Sequence, residues 1–145
     1  GQMDARSRAL MAELGIEQYA NRRANTLAYG LQRRLEIARA LALDPRYLLL
    51  DEPAAGMNET ESDDLLGILA GLRESRGLGL LVVDHDLRLI MRLCDRVVVL
   101  NKGQVIAEGT PGKVQSDPVV IEAYLGKRRA ASKAAAPSTQ GREEP

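Results

Sequence analysis

Two short apolar runs, each ending in an acid, constrain this chain most. Residues 47–50 (YLLL) run into Asp51-Glu52, and residues 79–84 (GLLVVD) end on Asp84 with His85 next. The first run lies between Pro45 and Pro53, too short for a stable helix, so a strand is expected despite its leucines. Between the runs, residues 59–75 place Leu65, Leu66, Leu69 and Leu72 at helical spacing. Glu59, Glu61, Asp63 and Asp64 crowd the start of that segment and Arg73 and Arg76 close it, the order that a helix dipole favours. Strand, helix, strand over this length is a βαβ unit with a right-handed crossover, so two parallel, buried strands are expected. The predicted fold class is α/β.

Upstream, residues 4–14 put Ala5, Ala9, Leu10 and Leu14 on one helical face, and Gly15 ends the pattern. The helix starts with no strand before it, which suggests a chain that begins in mid-domain. Residues 21–29 are polar and irregular. Residues 30–43 predict a helix with Leu31, Leu35, Ala38 and Leu41 or Ala42 inward, stopped by Asp44-Pro45. Beyond the second strand, Asp86 is a candidate cap for a helix reaching Leu93. Residues 96–100 and 104–108 predict a hairpin around Asn101-Lys102-Gly103. A last amphipathic helix is expected over 119–125. Residues 127–145 are poor in bulky apolar side chains and are expected to be disordered, with Lys127, Arg128 and Arg129 solvated.

Composition excludes several function classes. At 145 residues and 45% apolar content the chain suffices for one domain with an ordinary core. Twenty basic residues balance twenty acidic ones, so no net charge draws it to nucleic acid or anionic lipid. Four Tyr with no Trp and no Phe argue against a single-strand binder that stacks bases. The one cysteine, Cys94, cannot form an internal disulfide and reads as a small apolar filler. No apolar run reaches the roughly 18 residues of a membrane span, and residues 1–15 lack the apolar segment of a signal peptide, so a cytoplasmic chain is expected. Asn58-Glu59-Thr60 then matches a glycosylation acceptor only by accident.

Ligands of open α/β sheets bind beyond the carboxyl ends of the strands, where Asp51, Glu52, Asp84 and His85 all fall. A carboxylate at a strand end can hold Mg2+, directly or through water. The next carboxylate can orient and deprotonate an attacking water, and an imidazole nearby can donate to a terminal phosphate. Gly30 opens an amphipathic helix whose free N–H groups suit phosphate. Singly, these are a polar turn, a structural histidine and a capping glycine; together they point to a magnesium nucleotide.

Three stretches carry a resemblance. LAYGLQRRLEIARAL (27–41), YLLLDEPAAGMN (47–58) and VVDHDL (82–87) are similar, in wording, order and spacing, to the signature, Walker B with D-loop, and switch-histidine motifs of ATP-binding cassette (ABC) transporter ATPases. RRLEIARAL, DEPAAGMN and GTPGKVQSDPVVIEAYLG (109–126) resemble most the LivG-type ATPases of branched-chain amino acid importers. The resemblance covers roughly residues 1–126. It implies the C-terminal portion of a P-loop NTPase fold: residues 1–44 ending a helical subdomain, 45–126 belonging to the ATPase core, and 127–145 a tail. It makes Asp51 the magnesium-associated carboxylate, Glu52 the residue that deprotonates the hydrolytic water, and His85 the switch that touches the γ-phosphate. Leu27, Ala28, Tyr29, Gly30, Leu31 and Gln32 would contact ATP held by a second ATPase subunit in a head-to-tail dimer. Ala55, Gly56, Met57 and Asn58 would form the D-loop at the dimer seam. ATP and Mg2+ are the implied cofactors and membrane permease subunits the implied partners. The implied location is peripheral, on the inner face of the cell membrane, with no nucleic acid and no insertion.

The chain departs from the family pattern at three places: Ala28 stands for the usual signature serine, Leu31 for the usual glutamine, and Asn58 for the usual D-loop aspartate. The phosphate loop G-x-x-x-x-G-K-[ST] does not occur in the sequence. GTPGKVQS (109–116) mimics it with glycines too close and Val114 in place of a hydroxyl, and reads as a turn before a helix. The phosphate loop and Q-loop are expected upstream of Gly1, so the isolated chain is expected to be inactive and to leave a strand edge unpaired beside residues 79–84. Two functions compete. One is part of the ATPase subunit that couples ATP hydrolysis to import of branched-chain amino acids; the other is a non-catalytic cassette half that serves another ATPase. A cassette ATPase of DNA repair or translation fits the neutral charge and the C-terminal segment less well.

Overall fold

The structure, a computed structural model, describes residues 2–124, so the expected tail and Leu125 lie outside the described residues. In chain order it contains α1 (Gln2–Glu13), 3-10 turns at Glu17–Tyr19 and Ala24–Thr26, α2 (Tyr29–Leu41), β1 (Tyr47–Asp51), α3 (Glu59–Arg76) and β2 (Gly79–Val83). Then follow α4 (Leu87–Leu93), β3 (Val97–Asn101), β4 (Gln104–Gly109), α5 (Pro111–Gln115) and a helix over 118–124, α6. These elements form two units that divide between Cys94 and Asp95.

In the first unit, β1 and β2 are parallel and in register from Tyr47 opposite Gly79 to Asp51 opposite Val83, with α3 as the crossover. α3 is held at both ends. The Asn58 side chain accepts the Glu61 N–H at 2.9 Å and the Glu61 carboxylate accepts the Asn58 N–H at 3.1 Å, a reciprocal cap. At the other end Gly77 takes a left-handed φ of 59°. Leu65, Leu66, Leu69 and Leu72 are buried as their spacing predicts.

Three expectations need correction. Ala5 and Ala9 are exposed, whereas Leu10 of α1 and Leu14 just past its end are buried. α2 buries Ile37, Ala38 and Leu41, while Leu31 and Leu35 are half-buried; Ile37 belongs to the inward stripe that the spacing assigned to its neighbours. The strands are not buried on both faces. Leu48 and Leu50 point inward, whereas Tyr47, Leu49, Leu81 and Val83 are exposed, so the two-stranded sheet is covered on one side. Strand alternation sorts the leucines, which hydropathy alone does not. On the open face the Tyr47 ring lies over Gly79, where an added methyl would come within 2.4 Å of Tyr47 Cδ1.

The ends of α1 and α3 are joined by a two-bonded ion pair, Arg76 Nε to Glu13 Oε2 at 2.9 Å and Nη2 to Oε1 at 2.8 Å. The Arg76 hydrogen bonds hold the Glu13 carboxyl below its ordinary pKa. A carboxylate whose pKa is depressed on folding stabilises above its unfolded pKa and loses that contribution as pH falls through the folded value. Because both groups are partly solvated, Glu13→Gln is expected to cost only about 0.5–1 kcal/mol at neutral pH. The difference should vanish in acid, below the carboxylate range, as measured by urea unfolding across that range. A constant difference at all pH values would refute the ion pair as its source.

The second unit is a hairpin with two short helices. β3 and β4 are antiparallel, with a bulge between Val99 and Leu100. Lys102 (φ 49°) and Gly103 (φ 79°) make the tight left-handed turn, and Asn101, expected in the turn, is the last residue of β3. Val97, Val99, Val114 and Val120 are its buried apolar residues. Residues 109–116 do not form a phosphate-type loop: Pro111 is the first residue of α5, where a missing N–H costs nothing.

Candidate functional site

The site lies at the carboxyl ends of β1 and β2. The last ladder pair is Asp51 with Val83, and the Glu52 N–H donates to the Val83 carbonyl at 2.8 Å. That bond carries the pairing one residue past the strand, so Glu52 stands beside Asp84-His85. Glu52 adopts φ 44°, a left-handed backbone that costs a non-glycine residue on the order of 1 kcal/mol or more. Its carbonyl accepts the Ala55 N–H at 3.1 Å, closing the turn. The result is direct: Glu52 Oε1 and His85 Nδ1 are 3.2 Å apart, 33 residues apart in sequence. Both are solvent-facing, with side chains 50% and 77% exposed.

Asp84 behaves differently from the other acids. Its side chain is only 5% exposed, and Oδ1 accepts the Asp86 N–H at 2.8 Å while lying 3.7 Å from His85 Nδ1. It shapes the turn that presents His85. Asp86 in turn caps α4 by accepting the Arg88 N–H at 2.9 Å. The i, i+2 spacing of Asp84 and Asp86 is the sequence signal for this turn. α4 is tied to α3 by Arg88 to Glu59 at 3.0 Å, by Arg92 to Asp63, and by Arg73 Nη1 donating to the Leu93 carbonyl at 3.0 Å. The helix behind His85 is thus fastened to the helix that follows the turn at 54–58.

Asp51 is exposed at the end of β1 and lines a cleft shared with Arg33, Glu36 and Pro53. Among the described residues no three His, Cys, Asp or Glu side chains form a metal-binding cluster.

At the start of α2, Ala28 is the cap residue and makes no side-chain hydrogen bond, so the first-turn N–H groups have no capping side chain. Leu27 is buried, and its carbonyl accepts Gln32 Nε2 at 2.8 Å, so these two residues shape the turn. Ala28 and Tyr29 are exposed; Gly30 and Leu31 are half-buried. The turn 54–58 lies against this helix start. A methyl added to Gly56 would fall 3.2 Å from Tyr29 Cε1, and one added to Gly30 would fall 3.6 Å from the Glu61 carboxyl and 3.9 Å from Met57 Cε. Nothing in the spacing of residues 27–58 signals this contact, which arises only from folding.

The chain is similar to known proteins. The family described as "ABC transporter" matches residues 2–55, and the branched-chain amino acid ATP-binding cassette transporter family matches residues 104–130. The chain is 49% identical over 117 residues to the high-affinity branched-chain amino acid transport ATP-binding protein BraF of Pseudomonas aeruginosa, covering 81% of this chain and 46% of that protein. It is 44% identical over 122 residues to the corresponding LivG protein of Salmonella typhimurium, covering 84% and 48%. The chain therefore spans about half the length of the curated relatives it matches. Its structure matches the ADP conformation of MJ1267, an ATP-binding cassette of an ABC transporter, with a TM-score of 0.78 at 30% identity over 87% of this chain and 51% of that one. With these identities over most of its length, the chain belongs to the ABC transporter ATPase family.

Proposed function

We propose that this chain is the C-terminal part of the ATP-binding subunit of an importer of branched-chain amino acids. The observation that carries the reading is the Glu52–His85 pair, 3.2 Å apart at the ends of two parallel strands, with Asp51 one residue before it. In this reading Glu52 Oε accepts a proton from the water that attacks the terminal phosphorus, and the ADP–phosphate bond breaks as the new P–O bond forms. His85 orients the Glu52 carboxylate through the Nδ1 contact and presents its other ring nitrogen outward. Asp84 holds the His85 turn. Asp51 would hold Mg2+, which neutralises phosphate charge when bound. Residues 27–32 and 55–58 would face nucleotide on a second ATPase subunit. The permease subunits would carry the substrate path; among the described residues no helix is long and apolar enough to cross a membrane.

The substrate class is the one the relatives are named for, and the sequence similarity supports it here. The test is uptake: cells lacking their own importer, given the operon that encodes this chain, should take up labelled leucine or isoleucine in an ATP-dependent way. Uptake that survives deletion of the segment encoding residues 47–58 would overturn the reading. A second reading is a non-catalytic cassette half that serves another ATPase. It requires the purified chain to stimulate another cassette ATPase without binding ATP itself.

A further inference from the structure

We propose that Tyr29 is a positioning residue that locks the turn 54–58 to the start of α2 within one chain, so that both segments facing the partner's nucleotide move as one body. The proposal rests on the transport-ATPase reading above. Tyr29 is the first residue of α2 and is 48% exposed, so burial in the core does not account for a large aromatic there. Its ring instead fills the space beside Gly56. Gly56 has φ 76°, a backbone that favours glycine, and its missing side chain is what lets the ring approach. On the helix side, Arg33 lies 5.6 Å from the ring centroid. Arg33 is itself bonded through Nη1 to Glu36 Oε2 at 2.8 Å. The ring is therefore held by a chain of contacts that runs along α2.

The neighbouring residues of the turn are tethered to the same structure. Met57 reaches Gly30, and Asn58 is bonded in both directions to Glu61, whose carboxyl also lies near Gly30. Three successive residues, Gly56, Met57 and Asn58, thus meet the helix start directly or through Glu61. A displacement of the turn carries the helix start with it. Of these approaches, the Tyr29 ring comes nearest to the glycine opposite it.

The test uses the complete ATPase that contains this chain, with Tyr29→Ala, Tyr29→Phe, Gly56→Ala and the Tyr29→Ala/Gly56→Ala double variant. Tyr29→Ala is expected to lower kcat about tenfold with KM for ATP within about twofold, because misplacement affects the reacting geometry more than ground-state binding. Tyr29→Phe should restore at least about half of kcat, since the ring and not the hydroxyl fills the space, and the double variant should be no worse than the poorer single one because both break one contact. ATP affinity, measured separately, reports folding. Unchanged kcat in Tyr29→Ala, a raised KM or lost ATP binding without a change in kcat, a Phe variant as poor as Ala, or additive losses would each overturn the proposal. Wild-type enzyme without ATPase activity would overturn the transport-ATPase reading and this proposal with it; active wild type with an unaffected Tyr29→Ala overturns the proposal alone.

Discussion

Glu52→Gln in the complete ATPase is expected to keep ATP bound while lowering turnover by about 10²–10⁴-fold, the usual worth of a general base. The amide has nearly the shape of the carboxylate, so the left-handed turn, the Val83 hydrogen bond and the cap of α3 should survive. Only the proton acceptor is lost. The ground-state contacts to the triphosphate are made elsewhere, so KM or Kd for ATP should move by far less than kcat. Steady-state phosphate release together with an ATP titration separates the two quantities. Wild-type turnover in this variant would refute the role given to Glu52, and equal losses in affinity and turnover would make it a binding group instead.

The second large effect is on stability. Leu69→Ala should destabilise the fold by about 2–5 kcal/mol, the range for emptying a buried leucine site. Leu69 is fully buried at the middle of α3, between Leu65 and Leu72 of the same stripe. The consequence is not only thermodynamic. α3 carries the Asn58 cap at its first turn and holds α4, and so the His85 loop, through Glu59, Asp63 and Arg73. Loosening this helix loosens both ends of the site. Glu74→Ala on the exposed side of α3 is the control and should stay within about 0.5 kcal/mol. Comparable denaturation midpoints for the two variants would show that α3 is not the core element described here.

Much of the site is local in the chain and was legible there. Asp51 and Glu52 follow directly on β1, Asp86 caps α4, and the acid-first, base-last α3 predicts its own boundaries. Asn58 caps α3 by offering an oxygen to the N–H of Glu61, a role asparagine fills about as well as aspartate. The misses share a different cause. Ala5, Ala9, Leu31 and Leu35 lie on correct helical stripes, yet burial depends on what faces each turn of a helix, which periodicity does not contain. Leu81 and Val83 are as apolar as Leu48 and Leu50, but they lie on the open face of a two-stranded sheet.

The sequence by itself determined the element types, the parallel βαβ unit, the family motifs and the chemical types at the strand ends, because helix and strand periods, caps and turn residues act over a few neighbours. The tertiary structure alone decided that Glu52 and His85 meet, that Asp84 is turned inward as a support, and that Tyr29 rests on Gly56. The first and last of those contacts join residues far apart in the chain. Their geometry is set by strand register and by a glycine's missing side chain, quantities that exist only once the chain has closed on itself.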